Sequence, residues 1–527
     1  MTTGMAAGVA VDVNPAAALR RNVTYRPDAV AISYPGVELT HADLDHLSAR
    51  LAAVLACEGV GSGDRVAYVG LNSPALLITL FAAVRLGAIF VPVNFRLAGP
   101  ELEAVLGGSG AVAVVAEEGH RSAVDSVRAA TALRTFLLVD DDPAVPVVAG
   151  PPQPWAAWTT RLQAVPPHET IATRGFDDPA VLMFTSGTTG LPKGVTLTHG
   201  NVWWNGINVD TRLHTRRDDI TYGVAPLFHI GGLNALLLRT LIRGGTVVLR
   251  RTFEPERFLR DLVDHQINSF FAVPAMLAAL SRVQGLWQAD LSRLHSVVVA
   301  GAPVPPSLIE LYASHGIVLQ QAWGLTETAP FATHLPTEYT TTKLGSAGIP
   351  MPHTEVRVID PATNTVVAPG VAGEVVVRGP NVTPGYWDNP TATAAAFDTD
   401  GWFHSGDIGY LDTDGFLFIV DRLKDMIISG GENIYPAEVE NVLADMPGVT
   451  DIAVVGVADE QWGEMVVAVL CTSAGSDISL EDLREYAARG LARYKLPRRI
   501  EVVDAMPRNA SGKLDKRAVR RLLSPDQ

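Results

Sequence analysis

Apolar and polar positions follow two rhythms along the chain. Short apolar runs, AVAISY (29–34), RVAYVG (65–70), GTVVLR (245–250), SFFAV (269–273) and SVVVAG (296–301), have the length and β-branched content of buried strands. Between them lie stretches with apolar residues three and four apart. HADLDHLSARLAAVLACEG (41–59) is one, closing at Gly59, and PERFLRDLVDHQ (255–266) is another. The run ALLITLFAAVRLGAIFVPV (75–93) carries Arg85 and Gly87 in its middle. A membrane span needs roughly twenty apolar residues. This run therefore predicts a core helix, with Asn72 or Ser73 as N-cap and Pro74 in its first turn, followed by a buried strand over 88–93. Strand–helix alternation from residue 27 to 350 predicts parallel sheets covered on both faces.

The texture then changes. EVRVID (355–360), GEVVVRG (373–379) and FLFIVD (416–421) are strands set close together with Gly, Pro and Asp turns, a small β-subdomain. After Asp421 the pattern is mixed. PAEVENVLADMPG (436–448) starts with Pro436 and places Val439, Val442, Leu443 and Met446 on one helical face. SLEDLREYAARGLARY (479–494) opens with Ser479 and Asp482 at capping-box spacing. The expectation is an α/β chain. A large N-terminal domain, 1–421, holds two doubly covered, mostly parallel sheets plus the β-subdomain. A small α+β C-terminal domain, 422–527, follows, with the boundary in DRLKD (421–425).

Composition narrows the class. A chain of 527 residues is too long for one core. Its net charge of −15, without a basic block, gives no electrostatic reason to bind nucleic acid. Cys57 and Cys471 are far apart, make no metal spacing and no disulfide framework, and fit a reducing cytoplasm as buried small side chains. The N-terminus lacks the basic region of a secretory signal, and no transmembrane segment is expected. Monomer and homodimer both fit.

Several stretches carry chemistry. TSGTTGLPKGV (185–195) gathers glycines, hydroxyls and Lys193, the parts of a phosphate grip: bare backbone for close approach, hydroxyl donors and a point charge. It is not the familiar P-loop, because Gly194 follows the lysine. In QQAWGLTE (320–327), Trp323 beside Gly324 offers a flat face to a base, and Glu327 offers oxygen to a cation such as Mg²⁺. FHSGD (403–407) sets Asp407 after a glycine in a turn, where a carboxylate suits a ribose diol, and Arg422 adds a donor. GGENIYP (430–436) pairs two glycines, and PRNASGKLDK (507–516) carries Lys513. Each alone has an ordinary explanation: a core tryptophan, a surface turn, a solvated lysine.

Their order changes the picture. TSGTTGLPKG, PLFH (226–229), WGLTE, SGD, DRLKD, GGENIYP and PRNASGK, together with GDRV (63–66) and RLGA (85–88), resemble the adenylate-forming superfamily and specifically its acyl-CoA synthetases, over 26–523. The resemblance implies that Thr185, Ser186, Gly187, Thr188, Thr189, Gly190 and Lys193 wrap the β- and γ-phosphates of ATP. Glu327 would contact Mg²⁺ and Thr326 the phosphate end of the nucleotide. Trp323, where a tyrosine is commoner, would stack on adenine opposite Gly301, Ala302 and Pro303, with Gly324 beside it. Asp407 and Arg422 would hold the ribose. Lys513 would stabilise charge as the acid meets the α-phosphate, and Gly430, Gly431 and Glu432 would line a thiol tunnel. Both lie in the C-terminal domain, which would rotate about Lys424, where some relatives have aspartate. His229 would stand at the acid-pocket entrance, with Gly231, Gly232 and Ala235 leaving room for a bulky or long apolar acid and Trp203 and Trp204 edging it. The implied reaction joins a small carboxylic acid to coenzyme A through an acyl-AMP. The alternatives are loading of an acyl-carrier protein, a luciferase-like oxidation, and a scaffold that only senses nucleotide.

Overall fold

A computed structural model describes residues 11–97, 99–139, 152–185, 192–429, 432–459, 462–473, 476–509 and 514–523. The chain separates into two compact units, 1–355 with 377–403, and 356–376 with 404–527.

The first unit is built around two helices. Pro74–Leu86 is buried at every position from Pro74 to Arg85, as a helix apolar all round should be. Ser73 caps it, its hydroxyl accepting from the Leu76 amide at 3.4 Å, and Gly87 closes it at φ +73°. Arg85, the charge inside this helix, is paired with Asp45. His41–Cys57 starts from a capping box made by Thr40 and Asp43. Side chains from two large sheets join these helices in one core: Ile32, Val247 and Leu249 from one sheet, Val66, Phe90 and Val115 from the other.

The nine-stranded sheet has parallel interior strands, in the order Leu319–Gly324, Ser296–Val299, Ser269–Ala272, Ile220–Gly223, Thr246–Leu249, Val30–Tyr34. Antiparallel strands finish both edges, Phe331–His334 with Ile349–Pro350 at one and Val37–Thr40 at the other. The seven-stranded sheet runs Ala156–Ala157, Thr135–Val139, Ala113–Glu117, Arg65–Val69, Ile89–Val93, Pro179–Thr185, Lys193–Thr198, parallel except for the last pair. The mostly parallel expectation holds inside each sheet, and three of the four edges turn antiparallel, while the fourth, Ala156–Ala157, stays parallel.

The second unit carries most of a four-stranded sheet, Glu355–Ile359, Gly373–Arg378, Phe403–Leu411 and Leu417–Arg422, whose last pair is antiparallel. It also carries a five-stranded sheet in which the long pair Val449–Asp459 and Gly463–Thr472 is the spine. Helices Pro436–Ala444 and Leu480–Ala487 share a core with it through Val439, Leu443, Leu483 and Ala487. The predicted capping box at Ser479 and Asp482 forms, but that helix stops at Ala487, short of 494. Two further differences concern single residues. FHSGD is not a surface turn: it lies within the strand Phe403–Leu411, with Gly406 at φ +69°. Cys471 is buried as expected, whereas Cys57, the last residue of its helix, is exposed. Among the described residues no helix is long and apolar enough to cross a membrane.

Candidate active site

Strands Pro179–Thr185 and Lys193–Thr198 form a hairpin in which Thr185 faces Lys193 and Phe184 faces Gly194. The loop between them, with Ser186, Gly187, Thr188, Thr189 and Gly190, lies outside the described residues. A Cβ on Gly194 would sit 3.1 Å from Cζ of Phe184, so the ring packs against bare backbone. The outer side of Lys193–Thr198 is covered by the segment 385–387. Thr196 N–H donates to the Gly385 carbonyl at 3.0 Å, Trp387 N–H to the Gly194 carbonyl at 2.7 Å, and Val195 bridges Tyr386.

That segment brings a residue absent from the sequence reading. Tyr386 lies beneath Lys193, whose Nζ is 5.1 Å from the ring centroid. Its hydroxyl donates to Oε1 of Glu327 at 2.9 Å. Burial and the adjacent Glu327 charge push the phenol pKa far up, so it stays a donor. The Glu327 carbonyl accepts from the Thr383 amide at 2.7 Å, and the Thr383 hydroxyl donates to the Thr196 carbonyl at 2.5 Å. Glu327 and the lysine end of the hairpin are thereby one hydrogen-bonded body. Among the described residues no group of three or more His, Cys, Asp or Glu is arranged to hold a metal. A single carboxylate suits Mg²⁺, which binds through one or two carboxylates plus substrate phosphate oxygens and keeps several waters. Glu327 would hold it.

Leu319–Gly324 runs parallel to Ser296–Val299. Trp323 and Gly324 end one strand, while Gly301, Ala302 and Pro303 follow the other, so both emerge at the carboxyl end of the sheet, where α/β folds bind ligands. Gly301 has φ +88°, and the three residues are exposed. Trp323 is 9% exposed. A Cβ on Gly324 would fall 1.9 Å from the Pro330 carbonyl oxygen, which only glycine avoids. Thr326 opens the short turn Thr326–Thr328 that presents Glu327.

His229 precedes the helix Ile230–Asn234, its ring 4.4 Å from that of Phe228. The small residues after it do not leave room. A Cβ on Gly231 would meet Cζ of Phe271 at 2.6 Å, one on Gly232 the Pro226 carbonyl oxygen at 2.3 Å, and Ala235 is fully buried. Neighbours occupy the space that a reading of side-chain size alone leaves vacant. Trp203 and Trp204 contact each other edge-on at 4.9 Å, with Phe176 and His353 beside them.

In the second unit Asp407 faces Arg422 across the antiparallel pair, and Arg422 Nε lies 2.5 Å from Oδ1 of Asp407. Asp407 is buried while the arginine is half exposed. Lys424 sits in the turn Leu423–Asp425, and burial draws its ammonium pKa down. This turn is held at both ends. The Asp421 carboxylate accepts from the Ala437 amide at 2.7 Å, capping Pro436–Ala444, and Asp425 pairs with Arg520 at 3.4 Å. Glu432 opens the strand Glu432–Ile434, paired with Ile427–Ser429, while Gly430 and Gly431 between them are outside the described residues. So is Lys513. Arg508 and Leu514, on either side of it, form an antiparallel bridge.

A carboxylate and a lysine-ended hairpin tied together at the carboxyl end of a parallel sheet are the equipment of an enzyme that handles nucleotide phosphates. Residues 19–387 match the AMP-binding enzyme family and residues 438–513 match the AMP-binding enzyme C-terminal domain. The chain belongs to that family, the adenylate-forming superfamily, and within it to the acid–CoA ligases. It is 43% identical over 501 residues to a feruloyl-CoA synthase of Amycolatopsis, covering 95% of this chain and 97% of that one. It is 39% identical over 509 residues to indoleacetate–CoA ligase of Aromatoleum aromaticum, with 96% and 97% covered. The o-succinylbenzoate CoA synthetase of Bacillus subtilis, solved with its acyl-adenylate, superposes with a TM-score of 0.84 at 32% identity, covering 97% of this chain and 98% of that one.

Proposed function

We propose that this ligase activates an apolar, ring-bearing carboxylic acid with ATP and transfers the acyl group to coenzyme A, with the residues above in the following roles. In the first half-reaction a carboxylate oxygen attacks the α-phosphorus, and the bond to pyrophosphate breaks. In the second a thiol sulfur attacks the acyl carbon, its proton is lost, and AMP leaves. The observation that carries this reading is the Lys193–Tyr386–Glu327 network, which joins the lysine end of the hairpin to the carboxylate. Bound Mg²⁺ supplies positive charge to the phosphate oxygens.

Thr185 to Lys193 grip the outer phosphates, Thr326 meets the phosphate end, and Trp323 and the strip at Gly301 hold the base. Asp407, oriented by Arg422, accepts from the ribose hydroxyls. Lys513 stabilises charge on the α-phosphate oxygens in the first step. Gly430, Gly431 and Glu432 guide the thiol in the second, and residues 422–527 turn about Lys424 between the steps. Both cysteines are free, and we place the reaction in the cytoplasm.

Lys513→Ala tests these roles. The variant is expected to lose acyl-AMP formation by about three orders of magnitude, the range seen when one donor to a developing charge is removed. It should still convert supplied acyl-AMP plus CoA to thioester. Loss of both half-reactions to the same degree, or of neither, would assign the lysine another role. Transfer to a phosphopantetheinyl carrier protein but not to CoA would make the enzyme a carrier-loading one.

A further inference from the structure

We propose that Asn234 is a positioning residue that couples the acid to the metal-bound nucleotide. It ties the helix behind His229 to the turn that presents Glu327, so that seating one ligand tightens the other. The inference rests on the reading of His229 as the acid-pocket entrance and of Glu327 as the Mg²⁺ ligand.

The turn that carries Glu327 makes a backbone demand. Ala329 takes φ +61°, the left-handed region that a residue other than glycine keeps only when its surroundings hold it there. Thr328 and Ala329 are fully buried, so their carbonyls need donors from the protein itself. Three successive carbonyls each meet a donor from outside the turn. Glu327 accepts from the Thr383 amide at 2.7 Å, Thr328 from Nδ2 of Asn381 at 3.0 Å, and Ala329 from Nδ2 of Asn234 at 2.7 Å. The first two donors lie in one segment, 381–383. The third ends the helix Ile230–Asn234, on the acid side.

That helix is joined closely to His229. The His229 carbonyl accepts from the Leu233 amide at 3.0 Å, next to Asn234. The helix also rests on the Pro226 carbonyl so tightly that a Cβ on Gly232 would fall 2.3 Å from its oxygen. Its far end is fixed by Asn205 of the helix His199–Arg212, whose Nδ2 donates to the Asn234 carbonyl at 2.6 Å. Asn234 is 2% exposed, and its neighbour Ala235 shares an apolar group with Phe331, just past the turn. The two elements therefore pack as well as bond. Without the bond, the Ala329 carbonyl stays buried and loses that donor, and each element settles alone. With it, a ligand that fixes one element does part of the ordering that the other ligand needs.

The test measures acid affinity by calorimetry with and without Mg²⁺ and α,β-methylene ATP, whose bridging carbon prevents release of pyrophosphate. The acid is whichever of a panel of benzoates, phenylpropenoates and straight-chain acids gives the fastest pyrophosphate–ATP exchange with wild type. Wild type is expected to bind it at least about fivefold tighter with the nucleotide than without. Asn234→Asp keeps the shape and, when ionised, has no donor, while Asn234→Leu keeps the bulk without polarity. Both should bring the ratio below about two, with the affinity for each ligand alone changed less than about threefold. A merely structural role would lower the thermal midpoint and leave the ratio where it was. The inference is overturned if wild type falls short of the fivefold ratio, or if a folded variant keeps the wild-type ratio. Should the aspartate variant not fold, the leucine variant decides. A wild-type enzyme that exchanges with no acid in the panel fails the functional reading itself, a different outcome from either of these.

Discussion

Tyr386 shows what a single side chain contributes. It donates one hydrogen bond to a carboxylate in a half-buried site, a contact to a charged group worth about 1.5 kcal/mol, or roughly tenfold in affinity. Tyr386→Phe is expected to weaken Mn²⁺ binding to the ATP complex about tenfold, read by paramagnetic resonance, while the affinity for the acid is retained. Unchanged metal affinity would make the tyrosine a packing residue only. Lys193 and Glu327 were legible in the sequence because each lies in a contiguous string whose residue types already suit phosphate and cation. Tyr386 was not, because its partner is 59 positions away and TPGYW (383–387) by itself reads as a turn followed by aromatics. The glycines after His229 show the converse: what fills the space beside a glycine comes from another strand, and no local pattern announces it.

Among the elements, helices and interior strands were the readable part. Pro74–Leu86, His41–Cys57 and the strand at Ile89–Val93 carry their caps and their burial in adjacent residues. The strand Phe403–Leu411 did not, since Gly406 at positive φ inside a strand has the local signature of a turn. Only its pairing with Leu417–Arg422 and the bond from Gly406 N–H to Glu374 settle it. The junction between Leu319–Gly324 and Phe331–His334 is the most demanding of these connections. Gly324→Ala would place a methyl inside the Pro330 carbonyl, and the backbone must shift to relieve it. We expect a loss of about 2–4 kcal/mol, seen as a lower urea midpoint, together with weakened ATP binding because Thr326 and Glu327 follow directly.

At the scale of the molecule, buried histidines set the response to acid. His199 and His334 have neither ring nitrogen hydrogen-bonded among the described residues, and burial pulls their pKa down to about 4 and about 3. Their lowered folded values mean that stability is complete above the unfolded value near 6.5 and is lost as pH falls below it. Each should remove about 2 kcal/mol of unfolding free energy between pH 7 and pH 5. His334→Leu should lower proton uptake on unfolding at pH 5 by about one, measured from the pH dependence of the urea midpoint. The α/β class followed from strand–helix alternation, but the antiparallel edges did not, because an edge is defined by which strand lacks a neighbour, a property of the whole sheet. One edge has a consequence for solubility. The strand Lys193–Thr198 would otherwise offer a row of free amides and carbonyls to any passing chain, and residues 385–387 blunt it. Substitutions that pry this strap loose should therefore announce themselves as fibrillar or amorphous self-association before any catalytic defect is scored.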